Sequence, residues 1–256
     1  MTDQFARTRM VLGTEGLERL KAARVAIFGL GGVGGYALEA LVRSGVGALD
    51  LIDSDTIALT NLNRQILALH STLGERKTDA AARRARDINP DITLRCYPTF
   101  VTAQNAADFP FGEWDYIVDA IDTVSAKLAL IELAREKGVP ILSSMGTGNK
   151  LDPGCLRIDD LANTANDPLA RVMRKELRRR GIEHTRVLFS TELPVRREEG
   201  KETKGTPPRP VPGSTAFVPS VAGLLIAAEV VRSLTGNGYK RTKGRCETDN
   251  IGLNPG

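Results

Sequence analysis

The feature that most constrains the fold is the hexapeptide GLGGVG at 29–34, which stands between an apolar run and a helical pattern. The run RVAIFG at 24–29 is typical of a short buried strand, and residues 32–45 carry apolar side chains at helical spacing. The glycines allow a tight turn, and the start of the following helix offers free N–H groups to a phosphate. This stretch therefore predicts the first strand–turn–helix unit of a nucleotide-binding sheet.

The remaining chain alternates in the same way. Because strands and helices follow each other without two-residue hairpin turns, we expect an α/β fold: a Rossmann-like, mostly parallel sheet with helices on both faces. We also expect a C-terminal extension that completes the sheet and a basic helical insert. Further strands are predicted at 48–53, 92–98, 115–121 and 139–145, and further helices at 79–88 and 126–138.

The length of 256 residues suits one sizeable domain, which we place at 1–235. Within it we expect a nucleotide-binding half at 22–150 and a substrate-binding half at 151–235. The stretch 196–213 is rich in Pro, Gly and charge, and we predict a flexible loop there. The tail at 236–256 has a similar composition, and we predict that it is disordered.

Composition limits the class of protein. The net charge of +4 is mild and by itself requires no nucleic-acid partner. Cys96, Cys155 and Cys246 lie far apart without a CxxC pair, which argues against a tetrahedral zinc site and suits a reducing compartment. Cys155 has the pattern of a small core residue. Since MTDQFARTRM lacks the apolar run of a secretory leader, we expect a cytoplasmic protein.

One apolar stretch, residues 216–228, raises the question of a membrane segment. It is shorter than the roughly 20 apolar residues that a span needs. It also contains Pro219 and is followed by Glu229. We therefore predict a helix that is buried or lies at a subunit interface, and membrane association is the less favoured alternative.

Charged residues follow the predicted strand ends. Asp53 stands about 20 residues after the glycine turn, where a carboxylate accepts hydrogen bonds from ribose hydroxyls. Arg64 and Lys77 add cations that a dinucleotide does not require, and Asp122 follows another strand at the same edge. A carboxylate opposite two cations favours a triphosphate with Mg²⁺. The alternative is a surface salt-bridge network.

Five motifs in this order, GLGGVG, LIDSD, TNLNRQ, Lys77 and DAIDT, resemble the ThiF/MoeB/HesA family of ATP-dependent adenylating enzymes, which are related to ubiquitin-activating enzymes. The resemblance implies that Asp122 holds Mg²⁺. It implies a homodimer, in which Arg7 of QFARTRM reaches the neighbouring ATP site. It implies catalytic roles for Arg7, Arg64, Lys77 and Asp122. By the same resemblance ATP is bound by Gly29, Gly31, Gly32, Gly34, Asp53, Asp55, Asn61, Arg64, Gln65 and Lys77.

The second half carries a basic stretch. Residues 167–186 are typical of a helix that opens at Asp167-Pro168 and closes at Gly181. From Arg171 to Arg186 the chain holds seven Lys/Arg against two Glu, a pattern that favours a phosphate backbone, although a plain solvated face has the same pattern. The candidates for binding such a backbone are Arg171, Arg174, Lys175, Arg178, Arg179, Arg180 and Arg186.

Residues 143–194 and the following PGSTAFVPSVAGL are similar to one branch of this family, the dehydratases of threonylcarbamoyladenosine in tRNA. That similarity implies adenylation of the threonyl carboxylate, cyclisation with release of AMP, and a monovalent cation that the sequence does not place. One alternative is an activator of a ubiquitin-like sulfur carrier, with a sulfur-transfer or desulfurase partner. The other is a nicotinamide-dependent oxidoreductase or a nucleotide-sensing scaffold.

Overall fold

A seven-stranded sheet forms the centre of the computed structural model, which describes residues 3–195, 198, 203–204 and 209–236. Every neighbouring pair of strands is parallel except the last, in which an edge strand runs antiparallel. The strands are β1 (Arg24–Phe28), β2 (Ala48–Ile52), β3 (Thr93–Tyr97), β4 (Tyr116–Asp119), β5 (Ile141–Ser144), β6 (Leu156–Asp160) and β7 (Arg186–Ser190), and their order is β3–β2–β1–β4–β5–β7–β6.

Six helices cover the two faces of this sheet, as the alternating pattern predicts. On one face α1, α2, α3 and α6 enclose an apolar core, and on the other α4 and α5 pack over Phe28 and Trp114 and over a second cluster around Met173. The helix α1 is interrupted at Gly13, whose φ is 75°. The helices are α1 (Ala6–Ala22), α2 (Gly34–Ser44), α3 (Lys77–Ile88), α4 (Val124–Lys137), α5 (Pro168–Arg179) and α6 (Phe217–Thr235).

The C-terminal half completes the sheet, as predicted, because β7 pairs with β5 and β6 pairs with β7. The segment predicted to be flexible, 196–213, contains two short antiparallel strands, β8 (Thr203–Lys204) and β9 (Arg209–Pro210). Residues 196–197, 199–202 and 205–208 lie outside the described residues, and so does the tail beyond Gly236 for which disorder is predicted.

The extent of the basic helix requires a correction. The helix α5 ends at Arg179, and Gly181 follows with a φ of 72°, a conformation that turns the chain away from the helix. The apolar residues after it then enter the sheet, so that Arg186 is the first residue of β7 and not part of the helix. Its guanidinium donates a hydrogen bond to Glu229 on α6. The basic stretch from Arg171 to Arg186 is therefore not one helix, and the role of Arg186 toward RNA stays a prediction.

The apolar stretch forms most of α6, which packs along α2 and α1. By length and composition α6 is the one helix in the described part of the chain that could cross a membrane. Its inner face, with Val218, Ala222, Ile226 and Val230, is fully buried in the core. An outer face with Leu224 remains half exposed. The prediction of a buried helix is thus confirmed for the inner face.

Candidate nucleotide site and basic face

The glycine turn joins β1 to α2 at the carboxyl edge of the sheet. Gly29 has a φ of 88°, and a Cβ there would lie 2.8 Å from the carbonyl oxygen of Ala120. A Cβ on Gly34 would lie 1.7 Å from the carbonyl oxygen of Gly29. Both positions therefore require glycine because the turn packs against itself and against the end of β4.

Gly31 is different, because the protein itself leaves room at this position. A Cβ on Gly31 would meet its nearest atom, Nε2 of Gln65, only at 3.8 Å. The Oε1 atom of Gln65 is buried and finds no hydrogen-bond partner among the described residues. The following helix α2 begins at Gly34, and the first N–H groups of a helix have no acceptor four residues before them within the helix. An open cradle, an unsatisfied polar atom and a helix N-terminus together fit the phosphates of a nucleotide.

Asp53 connects the end of β2 to the glycine turn. Its Oδ2 accepts a hydrogen bond from Leu30 N at 2.7 Å, and its Oδ1 accepts one from Asp55 N at 2.8 Å. Each carboxylate oxygen can accept a second hydrogen bond, so ribose hydroxyls can still be bound. The buried Lys77 places its Nζ 2.7 Å from Oδ2 of Asp55 and 3.7 Å from Oδ2 of Asp53. The structure therefore brings these three predicted site residues together.

The polar segment after β2 lies beside the glycine turn. Arg64 donates hydrogen bonds to Thr60 O and to Oδ1 of Asn63, both at 2.8 Å, and its Cγ would be 3.4 Å from a Cβ on Gly32. Asn61 has a local role, since its Oδ1 accepts a hydrogen bond from Ala58 N at 3.1 Å. Arg64 and Gln65 thus border the cradle directly, whereas Asn61 closes the turn that presents them.

The loop after β4 carries Asp122, which is exposed at the same edge of the sheet. A buried ion pair supports this loop: Nζ of Lys127 lies 2.9 Å from Oδ2 of Asp119, and neither side chain is exposed at all. Ser143 on β5 donates a further hydrogen bond to the same oxygen at 2.5 Å. The loop that carries Asp122 therefore begins at a fully buried, hydrogen-bonded ion pair.

The structure does not bring Arg7 to the nucleotide site of its own chain. Arg7 is exposed, and the next residue, Thr8, lines an apolar groove with Ser44, the last residue of α2. The 11 residues of α2 separate this groove from the glycine turn, a distance of about 16 Å at 1.5 Å per residue. The groove has a volume of about 360 Å³, and Val11 beside it is 82% exposed.

The side chains of the basic helix α5 fall into two groups. Arg171, Lys175 and Arg178 are exposed, stand at i, i+4 and i+7 on one face, and form no ion pair in the part of the chain that the structure describes. The others are engaged within the protein. Arg174 donates to Thr164 O at 2.7 Å, Arg179 pairs with Glu176 at 2.8 Å, and Arg180 pairs with Glu132 at 2.8 Å.

Asp167 fixes the start of α5 at the nucleotide edge. Its carboxylate accepts hydrogen bonds from Ala170 N in the first turn and from Gly146 N after β5, both at 3.0 Å. Burial raises the pKa of this carboxyl, although these two backbone N–H groups act in the opposite direction. The stripe formed by Arg171, Lys175 and Arg178 therefore begins at the edge that carries the cradle and runs away from it.

Known proteins resemble this chain in sequence and in fold. The family model described as the ThiF family matches residues 5–253. The chain belongs to the ThiF family. The tRNA threonylcarbamoyladenosine dehydratase of Bacillus subtilis is 43% identical over 91% of this chain and 95% of its own length. The family resemblance predicted from the motifs is thus confirmed.

Solved structures of Escherichia coli tRNA N6-threonylcarbamoyladenosine dehydratase, TcdA, are similar to this ThiF-family chain throughout. The complex with AMP gives a TM-score of 0.83 at 32% identity and covers 91% of this chain and 94% of that one. The complex with ATP gives a TM-score of 0.82 at 33% identity with the same coverage. The likeness therefore includes the C-terminal half with β6, α5 and β7.

Sequence reasoning missed Asp119, Lys127 and Ser143 in this member of the ThiF family. Lys127 stands in the otherwise apolar stretch AKLALI, and this lone charge is the signal that could have shown that it is buried, although it does not identify the partner. Cys155 also differs from expectation: it lies partly exposed in the turn before β6, and its thiol donates to Asp152 at 3.3 Å. It is therefore not a core residue.

Proposed function

We propose that this ThiF-family protein is an ATP-dependent tRNA threonylcarbamoyladenosine dehydratase. It adenylates the threonyl carboxylate of the modified adenosine, and the side chain then cyclises with release of AMP. The observation that carries this proposal is the likeness to TcdA with AMP and ATP over 94% of that chain, which includes the half beyond the nucleotide site. The relative in Bacillus subtilis, matched over 95% of its length, supports the same activity.

The cationic cradle explains how two anions can react. A carboxylate oxygen must attack the α-phosphorus of ATP while pyrophosphate leaves, and two unit charges about 4 Å apart repel by about 4 kcal/mol at an effective dielectric constant of about 20. Arg64 beside Gly32 and Lys77 beside Asp53 are placed to offset this repulsion. The N-terminus of α2 adds its partial positive charge. Asp53 would hold the ribose.

The second step needs no nucleophile from the enzyme. Once the threonyl carboxylate is activated, an atom of the same side chain attacks the acyl carbon, a ring forms, and AMP leaves with the former carboxylate oxygen. The net result is loss of one water from the nucleoside and cleavage of ATP to AMP and pyrophosphate. The hydrogen bond from the thiol to Asp152, and then burial, raise the pKa of Cys155, which is the opposite of what an attacking thiolate requires.

Magnesium fits the carboxylate arrangement of this edge. No group of three or more His, Cys, Asp or Glu residues able to hold a metal occurs in the described part of the chain. Mg²⁺ commonly binds through one or two carboxylates together with substrate phosphates, and it neutralises phosphate charge there. Asp122 is the residue that would hold it. The predicted monovalent cation and the sulfur-transfer partner remain predictions without a residue assigned to them.

We infer that two copies of the chain form a homodimer in which Arg7 serves the site of the neighbouring copy. Arg7 is too far from its own cradle, and the exposed Met10 and Val11 next to it form an apolar face with the groove between α1 and α6. An exposed apolar face of this kind marks an interaction surface, and a second copy of the chain offers the same apolar surface to pack against it. A cytoplasmic location stays a prediction.

The substrate RNA would contact the exposed stripe of α5. Arg171, Lys175 and Arg178 are spaced along one helix face that starts at the nucleotide edge. Cations on one face bind a phosphate backbone and make the binding dependent on salt. The exposure and spacing of the three side chains support the proposal that they hold the tRNA while its modified base approaches the cradle.

The decisive experiment incubates the purified protein with ATP, Mg²⁺ and tRNA that carries threonylcarbamoyladenosine, followed by mass spectrometry of the nucleosides. We expect a product lighter by one water and equimolar AMP, and we expect neither with Arg64→Ala. A parallel reaction with a carrier protein that ends in Gly-Gly tests the alternative. Pyrophosphate exchange that depends on this carrier and not on tRNA would contradict the proposal. Thermal stabilisation by NAD and not by ATP would favour an oxidoreductase or a sensing scaffold.

A further inference from the structure

The fully buried pair of Asp119 and Lys127 lies directly behind the loop that carries Asp122. Asp119 is the last residue of β4, and Lys127 stands in the first turns of α4. Ser143 is the register partner of Asp119 on β5 and donates its hydroxyl to the same carboxylate oxygen as Lys127 does. The pair therefore joins β4, β5 and α4 at one point under the site.

A buried ion pair is poor evidence for stability, because an apolar pair of similar volume often stabilises a protein as well or better. Its position is more informative. Ile121 N donates to Oδ1 of Asp119 at 3.3 Å, which draws the loop toward the pair. On its other side the carbonyl oxygen of Ala120 packs so closely on Gly29 that a Cβ there would lie 2.8 Å away. The loop is thus held between the ion pair and the glycine turn.

We propose that Lys127 is a positioning residue for the metal-bound triphosphate. Through Asp119 it fixes the loop from Ala120 to Thr123, and this loop sets where the carboxylate of Asp122 lies relative to the cradle. The proposal rests on the proposed function, because the role of Asp122 toward Mg²⁺ belongs to it. Lys127 touches neither nucleotide nor substrate, since its side chain is completely buried.

The test measures dissociation constants by calorimetry for three ligands: ATP with Mg²⁺, ATP with a chelator, and AMP. In Lys127→Met we expect the gain in ATP affinity that Mg²⁺ provides to fall by about tenfold, which corresponds to about 1.4 kcal/mol. AMP lacks the β- and γ-phosphates and should bind as in the wild type. Lys127→Arg keeps the positive charge and should restore the gain.

Arg24→Met is the matched control. Arg24 pairs with the fully buried Asp50 at 2.6 Å, but it stands at the start of β1, at the opposite edge of the sheet. This variant also removes the nearest cation from a buried carboxylate, which keeps its hydrogen bond from Trp114 Nε1 as Asp119 keeps the one from Ser143. We therefore expect lower thermal stability with an unchanged gain from Mg²⁺. If Lys127→Met does not fold, the double variant Asp119→Asn with Lys127→Met removes both charges and should show the same loss of the gain.

An unchanged gain in Lys127→Met overturns the proposal, and so does an equal loss of affinity for AMP or the same loss of the gain in Arg24→Met. The variant Asp122→Asn distinguishes a failure of the metal-holding role of Asp122 from a failure of the positioning role of Lys127. If Asp122→Asn retains the gain, the assignment of Asp122 to the metal fails. If Asp122→Asn loses the gain while Lys127→Met keeps it, only the positioning role of Lys127 fails.

Discussion

At the scale of single residues, the glycine turn shows that one motif can have glycines for different reasons. Gly29 and Gly34 are fixed by contacts of the protein with itself, since a Cβ at either would enter a neighbouring carbonyl group. Gly31 has no such contact within 3.8 Å. No contact of the fold requires glycine at this position, which agrees with the proposal that a ligand occupies the space. We therefore expect a substitution of Gly31 to weaken ligand binding without loss of stability, and a substitution of Gly29 or Gly34 to lower stability.

We expect Gly31→Ala to fold normally and to lose ATP affinity. Alanine in place of glycine at a compatible position stabilises a protein by about 0.4–1 kcal/mol, whereas the added methyl group occupies space that a phosphate needs. Differential scanning calorimetry and titration with ATP measure the two effects. Gly34→Ala should instead lower the melting temperature sharply. Wild-type ATP affinity in Gly31→Ala would show that the phosphates bind elsewhere.

At the scale of elements, α5 shows that some cations of a basic helix are paired with nearby carboxylates while others stay exposed and unpaired among the described residues. The helix rises one turn every 3.6 residues, so Arg171, Lys175 and Arg178 share an exposed face. Arg179 and Arg180 turn to carboxylates on Glu176 and Glu132. A count of positive charges in the sequence does not make this distinction. The unpaired and the paired cations can therefore be substituted separately to test which of them bind RNA.

We expect the triple variant Arg171→Ala, Lys175→Ala and Arg178→Ala to bind tRNA more weakly and with less dependence on salt. Each lost phosphate contact should reduce the slope of log affinity against log salt by about one unit. The matched control, Arg179→Ala with Arg180→Ala, removes charges that Glu176 and Glu132 already neutralise and should have a smaller effect. Filter binding at several salt concentrations measures both. Equal slopes of log affinity against log salt for the two variants would contradict the role of Arg171, Lys175 and Arg178 in RNA binding.

The contact between α2 and α3 gives a prediction for pH. Burial acts to raise the pKa of Glu39, but hydrogen bonds from Arg84 and Arg43 outweigh it and lower the pKa below 4.5. The carboxylate therefore stabilises the fold above pH 4.5, and this contribution is lost as the pH falls through the lowered pKa. Glu39→Gln should lose about 1.5–3 kcal/mol at neutral pH. Urea unfolding should show that the difference from wild type shrinks in acid.

At the scale of the whole molecule, the site is incomplete within one chain if Arg7 takes part. The apolar groove and the exposed Met10 and Val11 lie at the end of α2 that is remote from the cradle. Within one chain Arg7 lies at the start of α1, beside this groove and not beside the cradle. The assembly of two chains would solve this problem and cover the apolar face at the same time.

Mixing two inactive variants tests this arrangement. We expect Arg7→Ala and Lys77→Ala each to be inactive alone, because each lacks one part of the site. After subunit exchange, a mixed dimer has one site with both residues intact, so part of the activity should return. Met10→Glu with Val11→Glu should give a monomer in analytical ultracentrifugation. Activity that returns without dimers, or dimers without regained activity, would contradict the role of Arg7.

Much of this protein follows from its sequence. The alternation of apolar runs and helical patterns predicted the parallel sheet with two covered faces, because burial on both faces requires such runs. The glycine turn and Asp53 predicted the nucleotide edge, since glycines and strand-end carboxylates act through local backbone geometry. The family followed from five motifs whose order and spacing are preserved along the chain.

Only the tertiary structure decided which charges are buried, paired or free to bind. Lys127 and Asp119 meet because α4 folds back over β4, and Arg186 leaves the basic face because β7 takes it to the other edge of the sheet. Such pairings depend on distances in space between residues whose spacing in the chain carries no signal. The sequence therefore determined the elements and predicted the nucleotide edge, and the fold determined which charged side chains are buried behind that edge and which stay exposed beside it.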